Sequence, residues 1–163
     1  MLKLLILFLL LPLLVFSQNV THLKLSDIDG KTVVMKEHLK APATVIVFWA
    51  TWCIPCKKEF PAIQKLQEKY PEEQLQVITI SRDTPRSLAK LKAFIRTHSY
   101  QFVYLLDATG EVSSKLLVNT VPFTMLVDKS GKVLYTRSGY RKGDEAELEQ
   151  QLLRLWNQTQ NTK

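Results

Sequence analysis

Thr44-Val45-Ile46-Val47-Phe48-Trp49-Ala50-Thr51-Trp52-Cys53-Ile54-Pro55-Cys56 is the stretch that decides the fold. Its first six residues are mostly apolar, β-branched or aromatic, and read as a buried strand. Lys57 to Tyr70 then has helical spacing, with Phe60, Ile63 and Leu66 on one face. The only two cysteines of the 163-residue chain therefore stand at a strand-to-helix junction, with Cys53 where the helix begins. Backbone N–H groups at a helix start carry partial positive charge and favour an anion. A thiolate is such an anion and is the nucleophilic form of cysteine. Two thiols at this spacing can close a small disulfide and reopen it, which points to thiol–disulfide exchange. The alternative is a structural staple. A bridge over two residues closes a very short loop, however, and removes little entropy from the unfolded chain.

Working outward, Leu23-Lys24-Leu25 alternates like an edge strand, Asp29-Gly30 is a turn dipeptide, and Thr32 to Met35 completes an N-terminal hairpin. Pro61 falls inside the helix after the cysteines and should bend it, and Pro71 marks its end. Leu75 to Ile80 reads as a second buried strand. Thr84-Pro85 starts a helix with Leu88, Leu91, Phe94 and Ile95 on its apolar face. A short strand at Phe102–Leu106 and a short helix near Glu111–Leu117 follow. Phe123–Val127 and Lys132–Arg137 pair as strands around Asp128-Lys129-Ser130-Gly131. Asp144 opens a last helix to about Trp156, with a polar tail from Asn157. Early strand–helix alternation favours parallel strands and the late hairpin adds antiparallel ones, giving an α/β fold with a mixed sheet and helices on both faces.

Apolar content of 46% and charged content of 23% suit one globular domain. The net charge of +7 is spread along the chain and interleaved with acids. Without a basic run carrying interleaved aromatics, a nucleic-acid site is not expected, and the charge reads as a solvated basic surface. Attraction of an acidic partner is the weaker reading. Met1-Leu2-Lys3, the apolar run Leu4–Phe16 and the closing Val15-Phe16-Ser17 read as a signal peptide over residues 1–17, leaving a domain over 18–163. The alternative is a retained membrane anchor, although the run is short for a bilayer span. No cysteine near Ser17 offers a lipoprotein attachment point.

Three further features accompany the cysteine pair: Trp49-Ala50-Thr51-Trp52 before it, Pro61 within the following helix, and Val121-Pro122 before the late strand. With these, the sequence resembles the thioredoxin superfamily, most closely its extracytoplasmic TlpA-like and ResA-like thiol–disulfide oxidoreductases. Phe48 to Pro61, Asp128-Lys129-Ser130-Gly131-Lys132 and Gly139 carry the likeness, which spans roughly Leu23 to Trp156. It implies a thioredoxin-like three-layer α/β/α fold with a central mixed sheet and an N-terminal β-hairpin. It implies Cys53 as the attacking thiol, Cys56 as the resolving thiol, and Ile54 and Pro55 as residues that tune redox poise. It implies a cis peptide at Pro122, leaving the Val121 backbone free to pair with an extended substrate. Trp49 and Trp52 are expected to pack around the motif, with Trp52 also placed to shield Cys53 and touch the partner. Phe123 departs from the Thr common in that branch.

Ordinary thioredoxins carry a buried acid in the strand before the motif, where this chain has Val47. ResA-like proteins instead have an acid at the position of Glu59, which implies a role for Glu59 in thiol pKa and proton transfer with Cys56. The alternative is a surface acid in the first helical turns. Implied partners are oxidised exported proteins, among them apocytochrome c before haem attachment, and a membrane thiol electron donor. The membrane itself is a partner only if the leader is retained. No organic cofactor and no metal is expected, since the cysteines hold the electrons and His22, His38 and His98 show no ligand spacing. A metal chaperone or a peptide-binding module on the same fold is the alternative function.

Overall fold

The computed structural model describes residues 18–71 and 74–160. The expected leader lies outside them. Strand β1 (Lys24–Asp27) turns through Gly30 into β2 (Thr32–Val34), and a short helix, α1 (Met35–His38), follows. Then come β3 (Ala43–Trp49), α2 (Ile54–Lys69), β4 (Leu75–Ser81) and α3 (Leu88–Thr97), the last entered through a single 3-10 turn at Pro85–Ser87. The chain closes with β5 (Val103–Leu106), α4 (Glu111–Lys115), β6 (Phe123–Asp128), β7 (Val133–Ser138) and α5 (Asp144–Gln160).

One seven-stranded sheet runs in the order β2-β1-β5-β4-β3-β6-β7. The central strands β5, β4 and β3 are parallel, and the remaining pairings are antiparallel. Every residue of β3 is buried, as a central strand covered on both faces requires. Alternate side chains of β3 enter two cores. Val45, Val47 and Trp49 pack with the buried faces of α2, α3 and α5. Ile46 and Phe48 pack with the hairpin and α4. Both crossovers, β3-α2-β4 and β4-α3-β5, progress the same way along the sheet, so right-handed connections put both helices on one face.

The expected fold class is the observed one, with three local differences. Lys24–Asp27 is not an edge strand, because it sits between β2 and β5. Met35 begins α1 instead of extending β2 and is fully buried. Helix α5 continues past Trp156 to Gln160, since Asn157, Gln158 and Thr159 are polar but include no helix breaker, and Thr159 Oγ1 donates back to Leu155 O.

Phe60 is fully buried and meets Trp49 at 4.8 Å and Phe102 at 5.4 Å between ring centroids, both edge-on. This cluster fixes the first turns of α2 against the sheet. Phe60→Ala is expected to cost about 3–5 kcal/mol in urea unfolding. Leu153→Ala, on the exposed side of α5, should stay within about 0.5 kcal/mol.

Candidate active site

The buried end of β3 delivers the loop 50–53 to a fixed place. Trp49 O accepts from Arg82 N–H at 2.8 Å, and Cys53 N–H donates to Ala50 O at 3.0 Å. The buried Asp83 takes Thr51 N–H at 2.8 Å and Thr51 Oγ1 at 2.7 Å on its two oxygens. Ser81 Oγ donates to the same carboxylate at 2.8 Å. The loop is thereby bolted to the end of β4.

Cys53 is the N-cap of α2, with extended backbone angles, and its sulfur accepts the Cys56 N–H at 3.2 Å. Pro55 lies in the first turn, where its missing N–H costs no helical bond. Cys53 and Cys56 are joined in a disulfide. Cys53 is 4% exposed and Cys56 is fully enclosed, so Cys53 is the nearer of the two residues to solvent. The Val121–Pro122 peptide is cis. Val121 and Pro122 line, with Pro55, a groove of about 480 Å³ that continues along Gly139 and Tyr140. Trp52 is 63% exposed and Ile54 is similarly open, so Trp52 forms part of an apolar rim. Trp49 instead belongs to the aromatic core. Phe123 continues β6, paired with Phe48.

Arg82 Nη1 reaches Val118 O at 3.4 Å, tying the loop before the cis-proline to the same end of the sheet. That loop opens with a Schellman motif closing α4, in which Leu117 N–H donates to Ser114 O and Val118 N–H to Ser113 O. Leu117 takes the left-handed position of the motif at φ +58°, where glycine is usual, and is 70% exposed.

Glu59 is no surface acid; its side chain is fully buried. Thr124 Oγ1 donates to Glu59 Oε1 at 2.7 Å, and Arg137 Nη2 donates to the same oxygen. Glu59 Oε2 is buried and has no partner among the described residues. Val47, Thr124 and Arg137 are successive cross-strand neighbours on β3, β6 and β7. The carboxyl from α2 thus bonds to the second and third residues of the row that starts at Val47. Arg137 Nη1 also lies 3.1 Å from Asp144 Oδ2, and its guanidinium sits 5.5 Å from the Tyr140 ring centroid. Burial pushes the Glu59 carboxyl above the usual carboxylate range; the Thr124 bond and the Arg137 charge pull it part of the way back.

Thr124, Arg137 and Asp83 carry no sequence motif, and Asp144 was expected only at the start of the last helix. The signal for Arg137 was available. In alternating β7 it shares the inward-facing register of Val133 and Tyr135. His22, His38 and His98 stay apart, and His98 stacks on Phe94. Among the described residues no group of three or more His, Cys, Asp or Glu side chains could hold a metal ion, which weighs against the metal-chaperone alternative.

Because the native Glu59 carboxyl holds its proton more tightly than the unfolded chain does, stability should fall as pH rises through its raised titration range. Glu59→Gln is expected to remove that fall in urea unfolding measured across acid to neutral pH. It should also lower stability by roughly 1–3 kcal/mol, because Arg137 loses a buried partner.

The AhpC/TSA family profile matches residues 16–136. The thiol-disulfide oxidoreductase ResA of Bacillus thuringiensis subsp. konkukian is 30% identical over 122 residues, 75% of this chain and 69% of that protein. A solved candidate thiol:disulfide interchange protein DsbE from Chlorobium tepidum superposes with a TM-score of 0.75 at 27% identity, covering 85% of this chain and 96% of the other. An uncharacterized thioredoxin-like protein from Porphyromonas gingivalis gives a TM-score of 0.70 at 31% identity, covering 82% and 89%. With the fold and the Cys53–Cys56 disulfide, these similarities identify the chain as a member of the AhpC/TSA family within the thioredoxin superfamily, and of its extracytoplasmic ResA-like thiol–disulfide oxidoreductases.

Proposed function

We propose that this oxidoreductase works as a reductant of disulfides in exported proteins, delivered by its leader to the periplasm. The observation that carries the reading is the disulfide itself, closed at the start of α2 beside the Val121-cis-Pro122 groove and behind an apolar rim. In the dithiol form the Cys56 N–H and the helix start favour a Cys53 thiolate, its proton released to solvent. An extended substrate segment pairs with the Val121 backbone and packs on Trp52. Cys53 Sγ attacks one substrate sulfur, the substrate S–S bond breaks, and the first substrate thiolate leaves and takes up a proton. Glu59 accepts the Cys56 thiol proton. The Cys56 thiolate then attacks Cys53 Sγ, forming the intramolecular bond and expelling the second substrate thiolate, which is protonated in turn. Two electrons and two protons pass from the cysteine pair to the substrate.

Glu59 suits this step because its burial raises its proton affinity toward the working pH. Apocytochrome c cystines are one substrate class that the family suggests. A membrane thiol carrier would return the electrons.

Cys53→Ser should abolish disulfide reduction with dithiol supplied. Cys56→Ser should accumulate a Cys53 mixed disulfide with protein substrates, visible on non-reducing gels; no trapped species would sink the assignment of roles. Redox equilibration against glutathione tests direction. A potential more negative than about −200 mV supports a reductant, and one near about −120 mV, typical of a strong oxidant, overturns it.

A further inference from the structure

The proton step leaves the surroundings of Glu59 to be explained. One oxygen, Oε1, carries both Thr124 Oγ1 and Arg137 Nη2, while Oε2 is buried and bare. A carboxylate so held takes its proton on the bare oxygen, because the lone pairs of the other are engaged. Arg137 is itself held. Its Nη1 faces Asp144 Oδ2, and that oxygen is fixed by Arg141 N–H at 2.8 Å. Tyr140 lies against the guanidinium and is tied by its hydroxyl to Glu145 at 3.1 Å. A guanidinium can reach two carboxylates on different elements at once; an ammonium is a single point charge.

We propose that Arg137 is the positioning residue of the proton step: it fixes Glu59 as a carboxylate with Oε2 as the open acceptor for the Cys56 thiol proton. This rests on the reading of Glu59 given above. The groups facing the carboxyl are few. Strand β7 supplies Arg137, with Tyr135 beside its guanidinium, and the following loop supplies Tyr140. Helix α5 supplies Asp144, Glu145 and Glu147 around Arg137 and the tyrosines. Thr124 comes from β6 and the uncharged Val47 from β3. Lys57 and Lys58 of α2 are exposed. Burial pushes Tyr140 up to about 12 and raises Tyr135, so neither carries charge near neutral pH. Arg137 favours the Glu59 carboxylate and Asp144 opposes it.

Stopped-flow reaction of the reduced protein with 5,5′-dithiobis(2-nitrobenzoate) separates the steps. Cys53 attack releases the first thionitrobenzoate, and Cys56 attack on the mixed disulfide releases the second. The second phase should show an acid limb that reports Glu59. Arg137→Gln is expected to move that limb to higher pH, slowing the phase about tenfold on its acid side with recovery in alkali. Arg137→Lys, which keeps the charge but not the reach to both carboxylates, should return only part of the shift. In a Glu59→Gln background Arg137→Gln should produce no further shift. Carbon-13 NMR titration of the Glu59 carboxyl in the oxidised protein should show the same order without turnover. If Arg137→Gln does not fold, Asp144→Asn, which keeps a capping oxygen, should move the limb to lower pH. An unmoved limb in the Arg137 and Asp144 variants, with a limb that Glu59→Gln removes, overturns the assignment of Arg137 alone. A limb that survives Glu59→Gln overturns the reading of Glu59 and this assignment with it.

Discussion

The backbone N–H of Cys56 points at the sulfur of Cys53, and much of the molecule is arranged to keep it there. A helix start can favour a sulfur anion only if the sulfur is held at the cap and the helix cannot tilt away. The buried strand β3 sets the height of the cap, Asp83 holds the loop from the side, and Phe60 anchors the first turns from below. Neither Asp83 nor Phe60 lines the groove beside Pro122. Each converts apolar burial or a satisfied polar bond into a fixed position for one atom.

Glu59 and Arg137 apply the same economy to charge. Removing two ions from water is costly, and a pair of apolar side chains of similar volume would often hold a fold as well. In that setting one oxygen of Glu59 carries both bonds, and the other is buried with no partner among the described residues. Its place is set by geometry that crosses the chain: α2 lowers Glu59 onto a row formed by β6 and β7, more than sixty residues away in sequence.

The order of elements, the sheet class and the cysteine junction were legible in the sequence because they rest on local signals. Apolar runs marked β3 and β4, helical spacing marked α2, and glycine turns marked the hairpins. The cis peptide at Pro122 followed from family likeness and from nothing local. Whether Glu59 was a surface acid or a buried one was not legible, since helical position alone allows either. For Arg137 the alternation of β7 gave its side of the strand but not its partners. An arginine in an alternating exposed-looking strand usually faces water, and only strand register shows Thr124 and Val47 as its neighbours in the row. Cooperative features that join distant segments need the sheet before they can be read.

Leu117 occupies a backbone conformation that suits glycine, yet keeps its isobutyl group in solvent on the loop leading to Pro122. Conformational preference and side-chain identity therefore pull in opposite directions at this one residue. A glycine there would relax the main chain and, in the same exchange, erase the projecting hydrocarbon. Thermal hardening of this corner cannot be pursued by that route without also reshaping the exposed surface of the loop before Pro122.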